Sequence, residues 1–87
     1  MKIDIRIKLN AEDSDILKAF ADLILDNCFV VKGLKLLQKN KYFVVMPSRR
    51  RQDGTFIDIA FPINNDTRKE IELKVLEAYE KELKRSL

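Results

Sequence analysis

Polar and apolar residues alternate without a break from Lys2 to Leu9 at the start of the chain. Aliphatic side chains would share one face and charged side chains the other, and this period of two is typical of a strand with one buried face. The cluster from Asn10 to Asp15 is rich in Asn, Asp, Glu and Ser, whose side chains bond nearby backbone groups. The pattern therefore predicts a first strand followed by a loop.

The segment from Ile16 to Leu25 fits a helix and a strand equally well, because its apolar residues satisfy both periods. Asp26 and Asn27 can form a two-residue turn before the β-rich run from Cys28 to Leu37, and this arrangement favours a hairpin and hence a strand. Gly33, inside the second arm of that hairpin, predicts a bulge or a close backbone approach.

Two short runs of β-forming residues follow, and each ends at a proline. They are Tyr42 to Met46, before Pro47, and Phe56 to Phe61, before Pro62. Residues 48–54 between them read Ser-Arg-Arg-Arg-Gln-Asp-Gly. This segment and the strands that flank it form the predicted basic hairpin.

The last segment predicts one long helix. Thr67 followed by Glu70 matches a capping box, so the helix is expected to run from Arg68 to Arg85. Apolar residues recur along it at i+4 intervals and predict a stripe that packs on the sheet, namely Ile71, Val75, Tyr79 and Leu83. The expected fold is α+β: an antiparallel sheet of about five strands over residues 2–63, with one C-terminal helix over about 67–85, in a single domain spanning 1–87.

Size and composition are consistent with one small domain. The chain has 87 residues and a formal charge of +3, a mild excess that favours anionic partners without requiring one. Cys28 lies in an apolar run and is expected to be a buried small residue, as in a reducing compartment. No apolar run approaches the roughly 20 residues of a membrane span, and charged residues follow Met1, so a cytoplasmic location without membrane contact is expected.

The residue types argue against catalysis. The chain has no histidine and one cysteine, which excludes the common pairs of nucleophile and base and most transition-metal sites. Its carboxylates are scattered over wet faces and turns, and its two glycines cannot make a phosphate-cradling loop. We therefore expect no enzymatic activity, no cofactor, no metal and no small-molecule substrate.

The basic hairpin has two interpretations. A two-residue turn at Asp53 and Gly54 would set Arg49 opposite Asp58 and Arg51 opposite Phe56, with the arginines acting as solubilising edge charges. If Pro47 instead breaks the strand, residues 48–54 form an open loop whose three guanidinium groups can point outward and bind phosphate. Both remain open from the residues alone.

Further cations and aromatic residues accompany the hairpin arginines. Arg68 and Lys69 would lie in the first turn of the helix, where the dipole disfavours them unless they face an anion. Core packing is the favoured role of the nearby aromatic residues, which are Tyr42, Phe43, Phe56 and Phe61. Phe56, nearest the tip, is the best candidate for an exposed ring that stacks on unpaired bases.

Read continuously, residues 43–64 resemble the SpoVG family of bacterial septation and sporulation regulators. The matching motifs are FVVMPSRR, DGTFIDIA and PIN, followed by Thr67-Arg68 at the start of the helix. The resemblance implies a sheet followed by one helix, a strand at Ile16 to Leu25, a homodimer, and a small cytoplasmic regulator that binds DNA and RNA. Gln52 and Phe61 depart from residues common in that family, Pro and His respectively.

The leading hypothesis is a dimeric regulator of gene expression, septation or sporulation that binds DNA, RNA or both. Phosphate contacts are expected from one set of cations: Arg49, Arg50, Arg51, Arg68 and Lys69. Dimerisation is expected from the small size, the exposed strand edges and the resemblance. The alternative is an interaction module of the division or sporulation machinery, for which nucleic-acid binding is incidental.

Overall fold

The computed structural model describes residues 1–12 and 16–86, so the predicted loop from Asn10 to Asp15 is seen only as far as Glu12 and its remainder lies outside the described residues. The described elements are β1 (Ile3–Leu9), β2 (Leu17–Leu25), β3 (Phe29–Gln38), β4 (Tyr42–Val45), β5 (Ser48–Arg50), β6 (Phe56–Asp58) and α1 (Asn65–Arg85). Strands β1 to β4 form an antiparallel sheet in chain order, and β5 and β6 form a separate two-stranded sheet. The predicted α+β fold with one C-terminal helix is confirmed.

The turn between β2 and β3 decides between helix and strand for the segment from Ile16 to Leu25. Leu25 accepts a hydrogen bond from the Cys28 backbone N–H at 3.0 Å, and Asp26 and Asn27 between them have φ values of 50° and 56°. Asp and Asn tolerate this left-handed region better than most residues, so a tight hairpin turn forms here. The prediction of a strand before the turn is confirmed. The prediction of a buried Cys28 is wrong, because the residue ends the turn and is exposed.

Gly33 lies at a bulge in β3, as predicted. Leu23 pairs with Val31 whereas Ala21 pairs with Leu34, so β3 contains one more residue than β2 between these two pairs. Gly33 has a φ of 94°, which glycine adopts without the steric penalty of a Cβ atom.

The core lies between the four-stranded sheet and α1, which packs mainly against β1 and less extensively against β4 and β2. Three residues of the predicted helix stripe are buried, whereas Leu83 at its end is 38% exposed. Tyr79 also contacts Tyr42, with ring centroids 5.7 Å apart. The hydrophobic core residues from both layers are Ile3, Ala19, Ala21, Leu23, Leu34, Leu36, Val44, Met46, Ile71, Val75 and Tyr79.

Helix α1 begins earlier than the capping box predicts. Asn64 has an extended backbone, and its side-chain Oδ1 accepts the Thr67 backbone N–H at 2.8 Å, so Asn64 is the N-cap. The predicted cap at Thr67 is wrong, because an asparagine three residues earlier already supplies a strong capping acceptor. Arg68 and Lys69 consequently lie beyond the first turn, where Asp66 is the charged residue instead. No helix within the described residues is long and apolar enough to cross a membrane.

Candidate nucleic-acid interface

The basic hairpin, residues 48–58, closes around a three-residue turn. The Arg51 backbone N–H donates to the Thr55 carbonyl oxygen at 2.7 Å, and the Gly54 N–H donates to the Arg51 carbonyl oxygen at 3.0 Å. Gly54 has a φ of 90°, as expected for the left-handed residue that completes a three-residue hairpin loop. The two-residue turn of the first interpretation is therefore not formed, and the loop contains one residue more.

This longer turn changes every cross-strand pair of the hairpin. Ser48 lies opposite Asp58, and Arg49 lies opposite Ile57. Arg50, rather than Arg51, faces Phe56. The pairing of Arg49 with Asp58, which the sequence left open, is therefore not formed, and Arg49 has no carboxylate as its direct cross-strand partner.

All three hairpin arginines are exposed. No ion pair within 4.0 Å joins any of them to another described residue; the pairs that are seen join Lys2 to Asp4, Lys32 to Asp22, and Arg85 to Glu82. Because successive side chains of a strand alternate, Arg50 projects from one face of the hairpin and its two arginine neighbours from the other. The segment is a hairpin rather than an open loop, yet its guanidinium groups are unpaired within the described structure.

Asp53, the acidic residue nearest the arginines in sequence, is held by Thr55 instead. Its Oδ1 accepts the Thr55 hydroxyl at 2.6 Å and the Thr55 backbone N–H at 3.0 Å. These two hydrogen bonds, the hydroxyl first, lower the pKa of the Asp53 carboxyl below its ordinary value. The carboxylate thus stabilises the turn through Thr55, and no ion pair within 4.0 Å joins it to the described arginines.

Arg68 and Lys69 lie on α1, directly after Thr67 in the chain. A cavity of about 500 Å³ separates the start of the hairpin from the start of the helix, and both Pro47 and Thr67 line it. Arg68 is half-buried and Lys69 is exposed. No hydrogen bond or ion pair within the described residues joins either side chain to the hairpin arginines, so the five predicted cations form two groups.

The aromatic residues near the hairpin differ in exposure. Phe56 is 70% exposed, as expected of the best candidate for a free ring. Phe61 is 55% exposed, so its predicted core role is wrong: the ladder of β6 ends at Asp58 and the chain turns away before reaching it. Phe43 is half-buried. Tyr42 is exposed, although its ring also packs on the ring of Tyr79.

Sequence reasoning missed an exposed run of apolar residues between β6 and α1. Alternate residues of this apolar strip are exposed, reaching 90% at Ile63; they are Ile59, Phe61 and Ile63. Their spacing of two was the available signal, but the predicted strand ended at Phe61 and no role was assigned to these three residues as a set. Among the described residues, no cluster of His, Cys, Asp or Glu is arranged to hold a metal ion.

A four-stranded antiparallel sheet, one covering helix and a separate arginine hairpin define a small α+β domain whose most concentrated charge is cationic. The sequence model of the SpoVG family matches residues 1–81, and the chain belongs to the SpoVG family.

Named relatives agree with this assignment. A protein of Bdellovibrio bacteriovorus is 52% identical over 79 residues, covering 90% of this chain and 73% of its own length. One of Caldanaerobacter subterraneus subsp. tengcongensis is 46% identical, covering 93% and 90% respectively. One of Myxococcus xanthus is 42% identical, covering 92% and 80%. All three carry the name "Putative septation protein SpoVG".

Proposed function

We propose that this SpoVG-family protein is a non-catalytic regulator that binds DNA, RNA or both as a cytoplasmic homodimer, with Arg49, Arg50 and Arg51 on phosphate groups. The observation that carries the proposal is three consecutive exposed arginines without an ion-pair partner among the described residues. The septation named in the relatives is the process we propose it regulates, through gene expression in division or sporulation.

The charge of the hairpin supports an anionic partner. Residues 48–58 contain three arginines and two aspartates, so they carry a net charge of +1, with the three cations consecutive at residues 49–51. Guanidinium groups bind phosphate through two parallel hydrogen bonds and give up their hydration more readily than ammonium groups. We propose Arg68 and Lys69 as a second phosphate contact, which a nucleic acid that extends from the hairpin past the cavity lined by Pro47 and Thr67 would reach.

The salt dependence of binding tests the arginine assignment. If each hairpin arginine neutralises one phosphate of duplex DNA, log K falls against log salt with a slope contribution of about −2.7 per protomer. Fluorescence anisotropy at several salt concentrations should therefore show a shallower slope and weaker binding for the Arg49→Ala, Arg50→Ala, Arg51→Ala variant. Unchanged affinity and slope would contradict the proposal.

A matched control removes the same charge at the other end of the helix. Lys81, Lys84 and Arg85 are exposed near the C-terminal end of α1, far from the cavity that borders the hairpin. Their triple alanine variant also loses three positive charges, so any nonspecific effect of net charge appears in both variants. The proposal requires that the slope of log K against log salt becomes clearly shallower in the hairpin variant than in this control.

The apolar strip favours a second candidate function, a protein-interaction module of the division or sporulation machinery. Contiguous exposed apolar residues mark contact surfaces more often than isolated ones do. Tagged protein captured from nuclease-treated lysate discriminates the two functions. Partners that survive nuclease treatment and persist in the triple arginine variant would support this second function.

A further inference from the structure

Arg50 and Phe56 form the cross-strand pair nearest the tip within the ladder of the basic hairpin. Backbone hydrogen bonds join Arg51 to Thr55 and Ile59 to Pro47, and bonded and non-bonded pairs alternate along an antiparallel ladder. The pair of Arg50 and Phe56 thus occupies a non-hydrogen-bonded position, where Cα atoms are about 4.5 Å apart and side chains are closest. The cation and the ring therefore share one face of the hairpin.

The Phe56 ring is available to a ligand. It is 70% exposed, and the ring contact seen among the described residues joins Tyr42 to Tyr79 and not Phe56 to any partner. A phenylalanine left in water forgoes the favourable free energy that burial of its ring would provide. The Arg50 guanidinium extends toward the turn, with Nη2 3.8 Å from where a Cβ on Gly54 would be, so the cation lies beside the tip.

We propose that Phe56 is a stacking platform for an unpaired nucleobase, with Arg50 holding an adjacent phosphate, and that the protein consequently prefers single-stranded to duplex nucleic acid. This inference rests on the proposed function and specifies its ligand. Aromatic side chains stack on the faces of single-stranded bases, whereas a duplex encloses those faces in its own base stack. Arg49 and Arg51, on the opposite face, would contact the strand where it passes around the tip.

An intrinsic fluorophore at position 56 reports stacking directly. The chain contains no tryptophan, so Phe56→Trp introduces a single indole. We expect its fluorescence to be quenched by an oligothymidylate or oligouridylate of about 12 nucleotides, a length within the usual site sizes, and much less by a duplex of similar length. Phe29→Trp is the matched control, since Phe29 is 63% exposed and pairs with Leu25 rather than with an arginine.

Affinity measurements give an independent readout. Phe56→Ala should weaken binding of the single strand by about 5- to 150-fold, the range measured for one stacked base, and leave duplex affinity and the salt slope unchanged. Phe56→Tyr should retain single-strand binding because the ring face is kept. Phe29→Ala should change neither affinity.

Three results would overturn the stacking site. They are an unchanged single-strand affinity in Phe56→Ala, an equal loss on single strand and duplex, or conversion of the variant to a monomer in light scattering, which would assign the ring to a subunit interface. In each case the proposed phosphate contacts would still be supported if log K falls steeply with log salt in the unmodified protein and this dependence is lost in the triple arginine variant. Failure of the unmodified protein to bind either probe would instead overturn both proposals.

Discussion

Arg51 donates its backbone N–H to the carbonyl oxygen of Thr55 at 2.7 Å, and this bond closes the basic hairpin. The turn that it encloses has three residues, so Arg50 faces Phe56 and Arg49 faces Ile57. The bond thereby determines which arginine shares a face with an exposed ring. It also sets Asp58 opposite Ser48, so none of the three arginines has a carboxylate as its direct cross-strand partner.

The Asp53 carboxyl should titrate below the ordinary aspartate range, because its hydrogen bonds to Thr55 favour the ionised form. A carboxyl whose pKa is lowered by folding stabilises the fold above its unfolded-state pKa, and that contribution is lost as pH falls through the lowered value. The turn is therefore intact at neutral pH and loosens only in strong acid. The amide shift of Thr55 in NMR spectra recorded against pH measures this midpoint.

The variant Asp53→Asn is the control for that titration. Its side chain keeps an acceptor oxygen for Thr55 but has no ionisable group, so the low-pH change in the Thr55 amide shift should disappear. A midpoint at or above the ordinary aspartate range in the unmodified protein would contradict the assigned hydrogen bonds.

Replacing all three hairpin arginines by lysine should separate charge from geometry. The charge of the hairpin is unchanged, so the slope of log K against log salt should be retained. Lysine cannot form the bidentate contact, and we expect affinity to fall about fivefold, corresponding to roughly 1 kcal/mol. Anisotropy measured beside the triple alanine variant checks both quantities; full affinity in the lysine variant would show that bidentate contacts are not made.

The elements with regular patterns were predictable from the sequence. The alternation of Lys2 to Leu9 and the i+4 stripe of Ile71, Val75 and Tyr79 each bury one face, so periodicity alone identifies the strand and the helix. Asp26 and Asn27 also carried a specific signal, since few other residues tolerate positive φ. Local patterns of this kind predict a helix or a strand without knowledge of the elements that it packs against.

The geometry of the candidate site was less predictable, because it depends on single-residue choices. Asp53-Gly54 is compatible with turns of two or three residues, and the choice moves every cross-strand partner by one position. Whether Cys28 and Phe61 are exposed depends on the residue at which strand pairing ends. The residue types alone do not determine that position. The basic segment was evident from its composition, but the pairing of Arg50 with Phe56 required the structure.

The helix start gives a prediction that distinguishes two candidate caps. Asn64→Ala should destabilise the protein by about 1 kcal/mol, because it removes the acceptor of the Thr67 backbone N–H. Thr67→Ala retains that N–H and should change stability by no more than about 0.5 kcal/mol. Thermal or urea unfolding of both variants measures the difference, and a larger effect at Thr67 would restore the capping box inferred from sequence.

The apolar strip should form part of the homodimer interface that we propose. Ile63 is 90% exposed and borders the apolar cavity between sheet and helix, and Phe61 also lines that cavity. Two copies related by a twofold axis could cover both strips with one self-complementary contact. Ile63→Asp would then place an unpaired carboxylate in a desolvated surface, and we expect a monomer in light scattering at micromolar concentration.

A control for the interface comes from the helix. Leu73 is 60% exposed on α1 and outside the apolar strip, so Leu73→Asp introduces the same charge at a comparable apolar position without affecting assembly. Both variants should retain the helical circular dichroism of the unmodified protein, because neither position is in the core. If Ile63→Asp remains dimeric while Leu73→Asp dissociates, the subunits meet through the helix instead, and the apolar strip is left as a surface for a different partner.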